Sequence, residues 1–106
     1  MAKVIRLNEM DAAPTPLGGM ARILLDRPEV RVVNLTVDPG TEVGNHTAPV
    51  EVLFMVLAGK GILTAAGDEI TVEPGMCIIC PPDVTRSVRV LPGEPLNLLV
   101  VRSPNL

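Results

Sequence analysis

Turns constrain this chain more than any other feature. Nine Gly and eleven Pro fall at short intervals along 106 residues. They gather in "DPG" (38–40), "AGKG" (58–61), "AGDE" (66–69), "EPG" (73–75), "CPPD" (80–83) and "LPGEP" (91–95). Glycine reaches positive φ without strain and proline presets a turn, so each cluster reverses the chain. Between the clusters lie "KVIRL" (3–7), "ARILLD" (21–26), "VRVVNLTV" (30–37), "VEVLFMVLA" (50–58), "GILTAA" (61–66), "EITVE" (69–73), "MCIIC" (76–80), "VTRSVRV" (84–90) and "LNLLVVR" (96–102). All are short and rich in Val, Ile, Leu or Thr. Many short strands with regular turns imply an all-β sandwich or barrel. Only "NEMDAA" (8–13) has room for helix, and one turn at most is expected there.

The strands carry their own orientation. In "EITVE", Ile70 and Val72 share one face, while Glu69, Thr71 and Glu73 share the other. Residues 52–57 do not alternate. Val52, Phe54 and Val56 form one apolar face, and Leu53, Met55 and Leu57 form another. One face fills a barrel. The other calls for a second sheet or a second subunit, because small monomers rarely leave such a patch in water. A homodimer is expected.

Several function classes are excluded by composition. A chain of 106 residues supports one core, so residues 1–106 are read as one domain. The net charge of −3 is spread over both signs, and the chain has one Phe, no Tyr and no Trp. Neither a basic stripe nor a stacking platform for bases is present, so no nucleic-acid partner is expected. The same lack of aromatics argues against stacked carbohydrate. The N-terminal "MAKVIRLNEMD" carries charges where a signal peptide would be apolar, and the longest apolar run, Val52 to Ala58, is far short of a membrane span. A soluble cytoplasmic protein with reduced cysteines and no membrane partner is expected.

The stretch "GNHTAPVEVLFMVLAGKG" (44–61) holds the only histidine, His46. Gly40 precedes it, followed by "TEVGN", His46, "TAPVEVLFMVLA" and Gly59. Further on, Gly75 is followed by "MCIIC", Pro81, Pro82, Asp83, "VT" and Arg86. In this order of turns and strands the chain resembles the small single-domain cupins, a family of antiparallel jelly-roll barrels. The resemblance covers about residues 30 to 102, with residues 1–29 supplying N-terminal strands and connections.

The resemblance also implies four metal ligands, His, His, Glu and His, and here the chain departs from it. The first position falls on His46, the second on Ala48, the third on Val52 and the fourth on Arg86. One imidazole is not a site for metals that need three or four converging donors. A guanidinium neither ligates a metal nor tolerates one nearby. Glu51 lies one residue from Val52, so it points to the opposite face unless a bulge near Pro49 turns it in. No metal and no other cofactor are expected.

The remaining residues admit two readings each. Arg86 either shares a barrel mouth with His46 or pairs with Asp83 or Glu42. His46 either contacts a ligand or is a loop histidine bonded to backbone. Cys77 and Cys80 read as C-x-x-C, yet on a strand residues i and i+3 point oppositely and sit about 10 Å apart, beyond disulfide reach. Ile78 and Cys80 are expected inward, Cys77 and Ile79 outward.

The resulting expectation is a metal-site-degenerate cupin that binds a small molecule, an organic anion fitting best. Its ligand-binding residues would be His46 and Arg86 at the mouth, with Val52, Phe54, Val56, Ile78 and Cys80 behind them. The alternative is a small cupin enzyme. It would be either a metal-dependent dioxygenase, isomerase or decarboxylase, or a metal-free catalyst with His46 as base and Arg86 as electrostatic stabiliser. No catalytic residue is assigned.

Overall fold

The computed structural model describes residues 1–105. Ten strands follow a single turn of 3-10 helix at Leu7–Glu9: β1 (Ala13–Pro14), β2 (Met20–Asp26), β3 (Arg31–Val37), β4 (Glu42–His46), β5 (Glu51–Ala58), β6 (Gly61–Ala65), β7 (Asp68–Val72), β8 (Cys77–Cys80), β9 (Arg86–Val90) and β10 (Leu96–Ser103). They form a six-stranded sheet, β1-β2-β3-β10-β5-β8, and a four-stranded sheet, β4-β9-β6-β7. Every pairing is antiparallel. The molecule is an all-β jelly-roll barrel.

Each turn cluster performs the reversal its residues favour. Ala66 and Gly67 both have positive φ, 52° and 85°, and join β6 to β7 as a two-residue hairpin. Gly59 has φ 81°, and a Cβ there would lie 2.3 Å from the Pro95 carbonyl oxygen and 2.8 Å from Leu96 Cα. The turn after β5 therefore packs backbone against backbone, and only glycine fits. Asp83 adopts φ 64° in the turn before β9, a conformation that Asp tolerates better than most residues.

Two segments depart from the sequence expectation. "KVIRL" forms no strand, and Val4 is 79% exposed. It is apolar enough for a strand but pairs with none of the sheet edges. Conversely, β4 is a strand although only Val43 in it is strongly apolar. Its place is fixed by pairing with β9 and by the Gly44 N–H, which donates to the Leu17 carbonyl at 3.0 Å.

The inward parity of the strands makes the core. Val37, Val52, Val56, Leu63, Val72, Cys80, Leu96 and Leu98 are all buried between the sheets. The core draws on β3 and on β5 to β10. A cavity lies between β2–β3–β10 and β4–β9. The outer face of the large sheet is also apolar. Val32, Val101, Leu53 and Ile79 form one cross-strand row, and Leu99, Met55 and Cys77 extend the next.

Among the described residues no helix is long and apolar enough to cross a membrane.

Candidate functional site

Four strand ends meet at one end of the barrel, and each carries a basic side chain. On the large sheet, Arg31 opens β3 and stands in register opposite Arg102 near the end of β10. On the small sheet, His46 closes β4 and stands opposite Arg86, which opens β9. His46 and Val43 are three residues apart and would point to opposite faces of a regular strand. A bulge between them restores His46 to the inner face, because Val43 pairs with Val88 while His46 pairs with Arg86. Thr47 and Thr85, the next residues out, join their hydroxyls at 3.0 Å and hold the two strand ends together. The sheets touch across the site, where Arg102 Nη2 lies 3.5 Å from His46 Nε2.

A cavity of about 580 Å³ opens behind this cluster. Arg31, His46, Arg86 and Arg102 line one part of it. Val33, Leu35, Val43, Phe54, Val88 and Val100 supply an apolar wall. The segment Pro14–Leu17 covers it from the N-terminal side. Among the described residues no acid lines the cavity. Asp26 stands in register opposite Arg31 on β2, and its Oδ1 accepts a hydrogen bond from Asn105 at 2.7 Å.

The electrostatics are unusual for an interior. Arg86 is only 5% exposed. Its Nη1 and the Nε of Arg31 are buried and have no hydrogen-bond partner among the described residues. Burial first, and then the Arg102 charge against the opposing pull of Cys80, lowers the Arg86 pKa from its ordinary value. Burial also lowers the His46 pKa, and the Arg86 and Arg102 charges lower it further. Burial pushes the Cys80 thiol up, against the pull of Arg86, so this thiol stays protonated and unreactive at neutral pH.

The residues singled out from sequence do not all meet here. His46, Arg86 and Phe54 line the cavity. Val52, Val56 and Cys80 face inward as expected but do not line it, because they are packed into the core and at most 2% exposed. Ile78 packs against that same core and is also outside the cavity. Of the expected cavity floor, Phe54 alone lines this cavity. Among the described residues Arg86 forms no ion pair with Asp83 or Glu42. Its guanidinium instead covers the Phe54 ring. Arg31 and Arg102 escaped sequence reasoning. Both sit at the inward parity of an otherwise apolar strand, one before Val33 and Leu35, the other after Leu98 and Val100. A charge at that parity was the signal.

The metal set of such barrels does not fit these residues. The positions that would supply the second and third ligands hold Ala48 and Val52, both buried in the core. The fourth holds Arg86, and Glu51 is exposed on the outer side. Among the described residues no three His, Cys, Asp or Glu side chains converge on one point.

Architecture and site together define a small jelly-roll barrel with a one-ended, arginine-lined cavity. The family model described as "Cupin domain" matches residues 33–102, and the chain belongs to the cupin family. Solved structures agree on the fold. The polyketide cyclase RemF from Streptomyces resistomycificus superposes with a TM-score of 0.87 at 23% identity, covering 99% of this chain and 81% of RemF. A predicted oxalate decarboxylase from Thermotoga maritima gives 0.86 at 20% identity over 97% and 100% of the two chains. KdgF from Halomonas sp. gives 0.85 at 17% identity over 100% and 96%. At these identities the likeness is one of fold. No curated protein matches the chain.

Proposed function

We propose that this cupin binds a small organic anion in the arginine-lined cavity. One observation carries the reading: two buried guanidinium nitrogens, Arg31 Nε and Arg86 Nη1, belong to residues that line the cavity, and among the described residues neither nitrogen has a partner and no acid lines the cavity. A buried unpaired donor is costly, and native proteins satisfy nearly all of them. An oxyanion would satisfy both. Arginine suits the task because its donors form a planar fork that matches a carboxylate. The apolar wall around Phe54 would hold the organic part of the ligand. A cytoplasmic setting fits Cys77 and Cys80, which are free thiols.

A thermal-shift screen of carboxylates on wild type and Arg86→Gln tests the proposal. Hits that stabilise the wild type and leave the variant unmoved are expected. If no anion stabilises the wild type, or if the hits stabilise both proteins equally, the reading is wrong.

A second reading, a metal-free acid–base enzyme, is favoured by the state of His46. Burial and two neighbouring arginines keep its imidazole neutral, as a general base requires. Arg86 and Arg102 would then stabilise negative charge developing on the substrate. Slow exchange of a bound acid's α-protons with deuterated solvent, lost in His46→Gln, is the result expected of that activity.

The outer face of the large sheet is proposed to pack against a second copy of the chain. Its cross-strand rows from Val32 to Ile79 give the apolar surface that this contact needs.

A further inference from the structure

The inward positions of the large sheet form rungs that run from charged to apolar. The outermost rung holds Asp26, Arg31 and Arg102, in register across β2, β3 and β10. The second holds Ile23, Val33 and Val100, and the third Ala21, Leu35 and Leu98. The fourth, Val37 opposite Leu96, is fully buried and ends the cavity. Two large apolar side chains on the cavity wall stand in water, since Leu17 is 40% exposed and Ile23 45%. Leu17 is held in place by its own carbonyl, which accepts a hydrogen bond from the Gly44 N–H of β4 at 3.0 Å.

Beyond the basic cluster, the polar side chains that line the cavity among the described residues are Thr15 and Ser87. Thr15 Oγ1 donates to the Gly18 carbonyl of its own loop. Ser87 lies on the opposite parity of β9 to Arg86 and Val88. A ligand hydroxyl in this part of the cavity would give up water and find no side-chain partner. A hydrocarbon there would cover Leu17 and Ile23.

Resting on the anion-binding reading for the head group, we infer that the ligand's body is an unsubstituted aliphatic chain lying along the second and third rungs against Leu17 and Ile23. The strand from Arg31 to Leu35 spans about 13 Å. A carboxylate at the first rung leaves room for an acid of about eight carbons, since each bond of an extended chain advances about 1.3 Å. The ligand class is a medium-chain carboxylic acid, not a sugar acid or a hydroxy acid.

Calorimetric titration of the wild-type protein with butanoate, hexanoate, heptanoate, octanoate, dodecanoate and 6-hydroxyhexanoate is the experiment. Affinity is expected to rise about threefold to fourfold per methylene up to octanoate and to level off before dodecanoate. 6-Hydroxyhexanoate puts a hydroxyl where heptanoate has its methyl, and should bind about tenfold less tightly than heptanoate. In the double variant Leu17→Ser, Ile23→Thr, the gain from butanoate to octanoate should shrink by about tenfold. Affinity that ignores chain length, or a hydroxy acid that binds as tightly as its isostere, overturns the inference and leaves anion binding standing. A gain that survives the double variant intact, or continues unbroken to dodecanoate, puts the chain outside this cavity and overturns it too. Failure of every acid to bind overturns both readings. The wild-type series decides the matter even where the double variant does not fold.

Discussion

The guanidinium of Arg86 lies over the ring of Phe54, 5.4 Å from its centroid. This contact explains how a buried cation persists at the end of an apolar barrel. A cation within about 6 Å of an aromatic face is attracted by the ring quadrupole. The contact does not satisfy the N–H donors, however, and Nη1 remains without a partner among the described residues. Arg86 therefore carries a cost in the ligand-free protein.

That cost predicts a trade between stability and binding. Methionine has similar reach, no charge and a favourable sulfur–aromatic contact. Arg86→Met should raise stability by about 1–3 kcal/mol, the penalty of a buried unsatisfied donor. The same variant should lose anion binding. Urea denaturation and calorimetric titration check the two halves. A variant less stable than wild type would show that Arg86 supports the fold rather than a ligand.

The sequence showed the barrel far more clearly than the cavity. Turn clusters and strand parity foretold β2, β3 and β5 to β10, and they put Val52, Phe54 and Val56 inward. These are local properties, written in one strand at a time. Which flank of the barrel stays open depends on how two sheets lean together, and no single strand records that. Val52 and Phe54 share one face of β5 and both pair with β8, yet Val52 is sealed in the core and Phe54 borders the cavity. The bulge that turns His46 inward was equally hidden, because it is defined by the partner strand β9.

Metal content is the next expectation. Ala48 and Val52 fill two ligand positions with buried hydrocarbon, and Arg86 places a fixed positive charge at another. Protein purified without chelator should carry no stoichiometric Zn, Mn, Fe, Ni or Cu. Elemental analysis showing about one metal per chain, lost in His46→Ala, would falsify this and require donors from elsewhere in the barrel.

Assembly can be tested on the outer sheet face. Met55 sits between Leu99 and Cys77 across neighbouring strands. A lysine there would be buried without a partner if two faces pack together. Wild type should have a dimer mass in light scattering at micromolar concentration, and Met55→Lys should be monomeric with a lower Tm. A monomeric wild type removes the idea.

The glycines of the two motif turns should respond unequally to alanine. Gly59 has positive φ and a Cβ would strike Pro95 and Leu96 backbone, whereas Gly75 has φ 92° and open space around it. Gly75→Ala should cost about 1 kcal/mol, from backbone strain alone. Gly59→Ala adds a clash with backbone atoms that cannot rotate away, and the cost should exceed about 2 kcal/mol. Equal losses in denaturant titrations would mean that the β5–β6 turn relaxes away from β10.

His46 makes the ligand-free protein sensitive to acid. Burial, then Arg86 and Arg102, lowers its pKa below the ordinary 6.5 of the unfolded chain. The unfolded state then takes up a proton at higher pH than the folded state does. Stability is complete above about pH 6.5 and falls as pH drops from there through the lowered folded pKa. His46 is the only histidine, so no second imidazole contributes to that window. The slope should disappear in His46→Gln. A bound anion acts in the opposite sense, because it favours the imidazolium and adds a fourth cation to the cluster. Butyl sulfate keeps a fixed charge across this range. Its affinity for wild type should therefore rise as pH falls below about 6.5, and its affinity for His46→Gln should stay level. A level wild-type profile would show that the anion sits out of reach of His46, with the arginines alone holding it.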